Sequence, residues 1–310
     1  MALLNFRKEA GRDAVRVNPQ VEAFVQDYSI EVMPRTVAKV DDVRALLPER
    51  TRVYIAHIDG TPIDEMVATA RRLAGDGFQV MPHFPARIIR DKAMLADWIA
   101  RYQGEAGVSQ ALLLAGGVAV PRGDFDSSMQ LMETGLFDKA GFTRLHVAGH
   151  PEGNRDIDPR GGMANVAAAL RWKQGFSERT DAGMAIVTQF AFDAGPIIDW
   201  ANDVKAAGVD LPIHIGIAGP AKLQTLIRFA IACGVGPSLK VLQKRAMDVT
   251  KLLLPYEPTD VITALAAHRA QTPDFNITQV HFFPLGGIRT NAEWAMANGG
   301  SAAVPAALAR

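Results

Sequence analysis

The sequence predicts an α/β protein that folds as one (β/α)8 TIM barrel. Apolar stretches rich in β-forming residues alternate with helical patterns, and there are eight strand candidates. Continuous apolar strands of this kind are typical of a parallel sheet that is covered on both faces. A length of 310 residues is normal for one such barrel. The first strand is not followed by G-x-G-x-x-G, which argues against an open dinucleotide-binding sheet.

The predicted strands divide the chain evenly and leave no room for a second domain. They span residues 29–33, 52–57, 78–82, 110–115, 144–148, 185–188, 213–217 and 279–283. We expect a single barrel over residues 1–310, with an N-terminal arm at 1–26 and a C-terminal tail at 300–310. Residues 236–268 carry extra helix before the last strand.

Local signals place the helix boundaries. Thr61 is expected to cap a helix with Pro62 at its first position, and Asp193 is expected to cap the helix after strand six. Asp181 is predicted to help turn the chain into strand six, with Gly183 just past a helix end.

Composition narrows the class of protein. Lys plus Arg and Asp plus Glu both number 33, so no net charge recruits nucleic acid or an anionic membrane, and Lys8–Arg16 is read as a short solvated arm. The single cysteine, Cys233, excludes an internal disulfide and is expected to be a buried small hydrophobe. We find no signal-peptide pattern and no long apolar run, and expect a cytoplasmic protein.

Polar residues collect at the carboxyl ends of the predicted strands, where a barrel forms its active site. Six of the seven histidines lie in or just after strands. The polar positions at the strand ends are Glu31, His57, Asp59, His83, His146, His150, Glu152, Asn154, Thr188, Gln189, Asp193, His214 and His281. The glycine pair Gly116–Gly117 permits close packing, or lets a flat ring approach the backbone.

Glu31 interrupts the apolar strand "SIEVM" and has two readings. Burial would raise its pKa and let it hold a proton as a general acid. Alternatively it pairs with Arg35 at the barrel end. His214 and His281 are read either as satisfied core histidines or as site residues. A metal-dependent hydrolase or lyase remains an alternative, although no H-x-H or H-E-x-x-H motif is present and we expect no metal.

The order of motifs resembles the methylenetetrahydrofolate reductase family, which uses a flavin in an eight-stranded barrel. The motifs are "IEVMPR", "MPHF", "LLLAGG", "HPEGN", "DAGMAIVTQFAFD" and "HFFPLG". The resemblance runs from about Tyr28 to Gly299. Its most specific part is "DAGMAIVTQFAFD", which is similar to the family pattern D-A-G-A-x-x-x-x-T-Q-F-x-F-D.

The resemblance implies residue roles. Glu31 matches the catalytic acid, and Gln189 matches the glutamine that contacts the pterin and the nicotinamide. Phe190, Phe192 and Arg289 are implied to bind substrate. Implied cofactor contacts are His57, His83, Ala115, Gly116, Gly117, His150, Glu152, Asn154 and Arg179. The family implies FAD, with NADH or NADPH as electron donor, a folate substrate and a homo-oligomer.

This sequence departs from the family at the flavin. Strand four of the family ends in L-R-G-D, whereas here it ends Leu114-Ala115-Gly116-Gly117. The tyrosine before the family's P-E is His150. Three hypotheses follow: a folate reductase with FAD, a folate reductase in which the nicotinamide delivers hydride directly, and the metal-dependent enzyme.

Overall fold

A computed structural model describes residues 18–247 and 254–301. Most of the predicted N-terminal arm, the charge run Lys8–Arg16 and the end of the C-terminal tail lie outside these described residues.

Eight parallel strands form a closed barrel in sequence order, and β8 pairs with β1. The strands are β1 Ser29–Val32, β2 Arg52–Ile55, β3 Gln79–Pro85, β4 Gln110–Leu114, β5 Arg144–Gly149, β6 Gly183–Ala191, β7 Ile213–Ala218 and β8 Ile277–Phe283. The predicted fold class is therefore confirmed, and every predicted strand overlaps an observed one.

Helices cover the outside of the barrel. They are α1 Pro19–Val25, α2 Pro34–Val37, α3 Ile63–Gly75, α4 Lys92–Ala106, α5 Ser128–Glu133, α6 Leu136–Lys139, α7 Ala164–Ser177, α8 Ala194–Ala206, α9 Leu223–Ala232, α10 Gly236–Ala246, α11 Thr259–Gln271 and α12 Ile288–Ala297. The predicted extra helix before β8 is present as α10 and α11. In the predicted arm, α1 packs against α11 and β8, with Phe24 and Val25 buried.

The helix boundaries confirm one predicted cap and correct two others. Asp193 accepts a hydrogen bond from the Gly195 backbone N–H at 3.1 Å, as expected of a cap. Helix α3 begins one residue later than predicted, with Pro62 as its N-cap. Gly183 is not a helix-end residue: α7 ends at Ser177, and Gly183 starts β6 with its N–H bonded to the Thr143 carbonyl.

Alternation along the strands explains why an acidic residue can sit in β1. Ile30 and Val32 face outward and belong to the main core between strands and helices. Ser29 and Glu31 therefore face the barrel interior, because successive strand residues point to opposite faces. At the amino end of the interior, Arg52 donates to the side chains of Gln79 and Gln110.

Two further observations concern exposure and hydropathy. Cys233 is exposed at the end of α9, so the prediction of a buried small hydrophobe is wrong. Its stretch is apolar, but the last two residues of α9 are exposed as well, and Cys233 borders the cavity with them. No helix within the described ranges is long and apolar enough to cross a membrane.

Candidate functional site

The carboxyl ends of the strands open into one cavity of about 1680 Å³. Ligand pockets usually measure about 300–1,000 Å³, so this cavity has room for more than one small molecule. Residues from the ends of seven strands, or from the loops that follow them, line it, and after β7 the lining comes from α9 and the turn that follows α9. Glu31, His83 and Gln189 are among them.

Glu31 lies between two histidines at the floor of this cavity. Its Oε2 atom is 3.3 Å from Nε2 of His83 and 3.8 Å from Nε2 of His281. The Glu31 side chain is 19% exposed, whereas His281 is fully buried. Neither Nε2 atom has a partner in regular hydrogen-bonding geometry among the described residues. The alternative pairing of Glu31 with Arg35 is not observed among the described ion pairs.

The pKa of Glu31 is lowered, whereas the sequence predicts that burial raises it. Burial alone would raise it, as expected, but His83 and His281 stabilise the carboxylate more strongly and lower the pKa from 4.5 to about 2. Glu31 is therefore ionised in the ligand-free protein at neutral pH. The sequence could not predict this sign, because it depends on two histidines that are remote along the chain.

His281 is fully buried and does not line the cavity, but it lies beside Glu31. Its Nδ1 atom hydrogen-bonds the Ser29 hydroxyl at 3.0 Å, and burial lowers its pKa. Ser29 and His281 are register partners on β1 and β8. The contact could have been found only by pairing the first and last strands, which the predicted barrel requires.

Gln189 lies at a bulge that turns its side chain toward the cavity. Thr188 and Gln189 stand between the paired positions Val187 and Phe190, where the register of β6 with β7 shifts. The bulge is held by the Gly216 backbone N–H, which donates to the Thr188 hydroxyl at 2.8 Å. Gln189 is half-buried and lines the cavity, as the resemblance implies.

The two phenylalanines after Gln189 have different positions. Phe190 lines the cavity and is buried. Phe192 is not among the lining residues; it packs edge-to-face against Phe190 and Tyr256, with ring centroids 5.7 and 5.2 Å away. Phe192 therefore supports Phe190, and its implied substrate contact stays a prediction.

Arg179, which the resemblance implies as a cofactor contact, lies far from the cavity. It precedes β6, so it lies at the amino end of the barrel, opposite the cavity. Its exposed guanidinium stacks on Trp172 and Phe176 at 5.6 and 5.0 Å from the ring centroids. A residue before a strand cannot reach the carboxyl end of that strand. Arg179 is thus excluded from the site.

The residues at the ends of β2 and β4 do line the cavity. His57 stacks on Trp98, with ring centroids 4.9 Å apart, and its Nε2 atom contacts the Thr61 carbonyl at 2.9 Å. Its Nδ1 atom has no partner among the described residues. Ala115, Gly116 and Gly117 form an open edge, where a side chain on Gly117 would meet nothing within 4 Å.

The loop after β5 also borders the cavity, but it is already engaged. The Glu152 carboxylate accepts hydrogen bonds from both the backbone N–H and the hydroxyl of Ser238, at the amino end of α10. Asn154 accepts from the Asp156 backbone N–H at 2.9 Å. Burial, assisted by Lys173, lowers the pKa of His150 to about 4, so this ring is neutral at physiological pH.

These contacts decide how well the implied flavin site fits. The two phosphates of FAD need cations or free N–H groups at a helix amino end. Arg179 is at the wrong end of the barrel, and the carboxylate of Glu152 occupies the amino end of α10. The residues assigned to the flavin therefore border a suitable cavity but do not fit its diphosphate.

Two arginines line the mouth of the cavity. Arg289 is exposed on the first turn of α12 and lines the cavity, as the resemblance implies. Arg87, which sequence reasoning missed, joins the loops after β3, β4 and β5: its guanidinium contacts Asp126 at 2.9 Å and Asp156 at 3.8 Å.

Within the described ranges, no group of three or more His, Cys, Asp or Glu side chains could hold a metal ion.

No protein-family model matches the chain. Among the solved structures that are similar to this chain is a protein from Clostridium thermocellum that binds two copies of 5-methyl-5,6,7,8-tetrahydrofolic acid. The TM-score is 0.54 at 11% identity, over 88% of this chain and 95% of that chain. At this identity the likeness shows a shared barrel fold.

Proposed function

We propose that this protein is a folate enzyme that reduces 5,10-methylenetetrahydrofolate to 5-methyltetrahydrofolate with electrons from NADH or NADPH. The observation that carries the proposal is the placement of Glu31 between His83 and His281 at the floor of a cavity that Gln189 also lines. The similar barrel from Clostridium thermocellum, which binds the methylated product of this reaction, supports a folate ligand.

The reaction requires a proton before it requires a hydride. The methylene carbon bridges two nitrogens, and protonation of one nitrogen breaks its bond to that carbon. The electron pair of the second nitrogen then forms an iminium, whose carbon accepts hydride from the reduced nicotinamide. An acid positioned at the leaving nitrogen is worth about 10²–10⁴-fold in rate.

Glu31 and its two histidines form the acid group. Because Glu31 is ionised in the ligand-free protein, it takes up a proton from solvent as folate binds and then delivers that proton to the leaving nitrogen. Binding of the flat folate rings would displace water and favour the protonated carboxyl. The histidines return the carboxylate to its stable state after transfer.

Gln189 suits recognition of the pterin. Its side-chain amide offers one acceptor and two donors, which match the alternating donors and acceptors along a pterin edge. In the ligand-free protein, its Oε1 atom accepts a hydrogen bond from the Phe190 backbone N–H at 3.1 Å. Phe190 provides an apolar surface beside it. We assign Arg289, at the rim, to an anionic part of the substrate.

The route of the hydride has two candidates. A bound FAD would carry electrons between nicotinamide and folate, and the cavity volume and the open edge at Gly117 support a ring there. The bond between Glu152 and Ser238 and the position of Arg179 favour the second candidate, in which nicotinamide delivers hydride directly to folate. We therefore derive no step through a flavin. The homo-oligomer stays a prediction.

The decisive experiment follows oxidation of NADH and NADPH by the purified protein, with methylenetetrahydrofolate as acceptor. We expect turnover in the native protein, a large loss in Glu31→Gln and no loss in Glu49→Gln. Glu49 is an exposed carboxylate that precedes β2 and so lies at the amino end of the barrel. Absence of turnover with both nucleotides and with added FAD would contradict the proposal. Turnover that depends on an added metal would favour the metal-dependent class.

A further inference from the structure

Four cations line one side of the cavity mouth and have no acidic partner among the described residues. They are Arg35 on α2, Lys39 just after α2, Arg228 on α9 and Arg289 on α12. All four residues are exposed. Within the described ranges, none of their side chains forms an ion pair or a hydrogen bond, and the Arg228 guanidinium lies 5.6 Å from the ring centroid of Phe229. We call Arg35, Lys39, Arg228 and Arg289 the cationic sector.

The order of the strands brings these cations to the same side of the barrel. Helices α9, α12 and α2 follow β7, β8 and β1. These three strands are neighbours, because β8 pairs with both β7 and β1. Arg35 and Lys39 are four residues apart across the end of α2, a spacing that places side chains on one face. The cationic sector is therefore continuous in the fold, although its members come from both ends of the chain.

Carboxylates neutralise the cationic sector only in part. Asp41 and Asp42 follow α2 and line the same side of the cavity. Asp42 is already engaged by Arg44, whose Nε atom lies 3.2 Å from its Oδ1 atom. Apart from Glu31 at the floor, no other carboxylate among the described residues lines this side. Positive charge therefore remains in excess beside the entrance.

The other side of the mouth, formed by the loops after β2, β3 and β5, has the reverse balance. Its lining carboxylates are Asp59, Glu152 and Asp156, and its lining cations are Arg87 and Arg155. Arg87 is mostly buried and is already paired with carboxylates. Clefts focus the field of the charges that line them, so a charged ligand follows the sign of the nearer wall. An anion that enters this cavity is therefore drawn toward the cationic sector.

The number and exposure of these cations indicate the kind of ligand. One carboxylate is satisfied by a single bidentate arginine, whereas cations on three helices can contact a chain of anionic groups. Their exposure suits a flexible, hydrated tail at the entrance rather than a buried group. Both ligands of the proposed reaction can carry such a tail. NADPH has one phosphate more than NADH, and a folate extended by γ-linked glutamates gains one carboxylate with each glutamate.

We propose that the cationic sector binds the polyanionic tail of a substrate, either the phosphates of the dinucleotide or the γ-linked carboxylates of folate, and so selects the more highly charged form of that ligand. This inference rests on the proposed function, which supplies the two ligands. It extends the anion-binding role of Arg289 to Arg35, Lys39 and Arg228, to which the resemblance assigns no role.

The test compares ligands that differ only in charge. The full chain is titrated with NADH and with NADPH by fluorescence, and by calorimetry with 5-methyltetrahydrofolate that carries a single glutamate or an extended γ-glutamyl chain. At an ionic strength of about 0.01 M, we expect the more charged member of one pair to bind about fivefold tighter or more. The difference should vanish at about 1 M, where charges act over only about 3 Å. The pair that shows the difference identifies the source of the tail.

Variants of the cationic sector locate the effect. Arg35→Gln combined with Lys39→Gln removes the charges beside α2, and Arg228→Gln removes the charge on α9. Each variant should reduce the preference for the more charged ligand. Arg171→Gln combined with Lys139→Gln is the matched control, because both residues are exposed, lie on α7 and α6, and do not line the cavity. The control should keep the native preference.

Two results would overturn the inference. One is equal affinity within both ligand pairs, or no binding of any of them, in the native protein at low ionic strength. The other is a preference that persists unchanged in both variants of the cationic sector. The titrations need no turnover, so a preference that depends on this sector, in a protein that fails to reduce methylenetetrahydrofolate, would contradict the proposed function alone.

Discussion

Glu31 and His83 come from strands that are not neighbours, yet their side chains meet 3.3 Å apart inside the barrel. Strand β2 lies between them and contributes Tyr54, which is directly beside Glu31 in the register. Curvature of the sheet across β2 therefore brings Glu31 and His83 together, and closure of the barrel between β8 and β1 adds His281.

Replacement of Glu31 by glutamine should abolish most of the reduction while folate still binds. The two side chains are nearly isosteric, but the amide cannot deliver a proton, so we expect a loss of about 10²–10⁴-fold in kcat. Steady-state kinetics with methylenetetrahydrofolate, together with a folate binding titration, measure both effects. A variant that reduces methylenetetrahydrofolate at the native rate would make Glu31 a structural residue.

The lowered pKa of Glu31 predicts a specific loss of stability in acid. A carboxylate that titrates near pH 2 when folded and near 4.5 when unfolded stabilises the fold above pH 4.5. This contribution is lost as the pH falls from 4.5 toward 2. Urea unfolding at pH 7 and pH 3 should show a larger loss for the native protein than for Glu31→Gln. Equal losses in the two proteins would contradict the lowered pKa.

Gln189→Ala should weaken folate binding without disturbing the barrel. Removal of a paired donor and acceptor is expected to reduce the binding free energy by about 1–3 kcal/mol. Isothermal titration with 5-methyltetrahydrofolate measures the change, and Gln271→Ala, at the exposed end of α11, is the control. Unchanged affinity in Gln189→Ala would remove this residue from the site.

Flavin is expected to bind weakly and to be lost during purification. This sequence lacks the arginine and the aspartate that end strand four in the family. Charged hydrogen bonds are worth about 1.5–3 kcal/mol each, so the loss of two weakens the affinity for FAD by about a hundredfold or more. The absorption spectrum of the purified protein and an FAD titration measure this. We expect nicotinamide-to-folate turnover in flavin-free protein, with no gain from added FAD. A tight yellow complex, with turnover that depends on FAD, would restore the flavin route.

Lys173 should destabilise the protein at neutral pH. Its ammonium is buried, donates to the Ala148 carbonyl at 3.1 Å, and has a pKa lowered by burial from 10.5 to about 8. Lys173→Met should raise the unfolding free energy on the order of 1–3 kcal/mol below pH 8. This advantage should shrink between pH 8 and 10.5, because the unfolded chain there binds more protons than the folded one.

Thermal unfolding at pH 7 and pH 10 tests the Lys173 prediction. Lys139→Met, at the exposed end of α6, supplies the control for loss of a surface charge. A lower melting temperature for Lys173→Met at pH 7 would mean that the amine is a needed structural contact.

The sequence was sufficient to predict the barrel, because strand and helix periodicities are local. It also placed Glu31 and Gln189, because a strand end in a barrel always faces the same mouth. It failed for Arg179, which was assigned to the cofactor from similarity of motif. A residue that precedes a strand lies at the amino end of the barrel, opposite the cavity. It failed for the pKa of Glu31, because the two histidines that lower this pKa lie on β3 and β8. The direction of the pKa shift of a buried acid cannot be predicted until its neighbours are known.

The bulge in β6 makes one glycine on the next strand a constraint on evolution. A Cβ atom at Gly216 would lie 2.4 Å from the Thr188 carbonyl oxygen and 2.7 Å from the backbone of Gln189. Any side chain at this position is therefore disfavoured, although Gly216 itself does not line the cavity. A lineage that altered its ligand preference would have to do so at the tip of Gln189 and leave the backbone beneath it untouched.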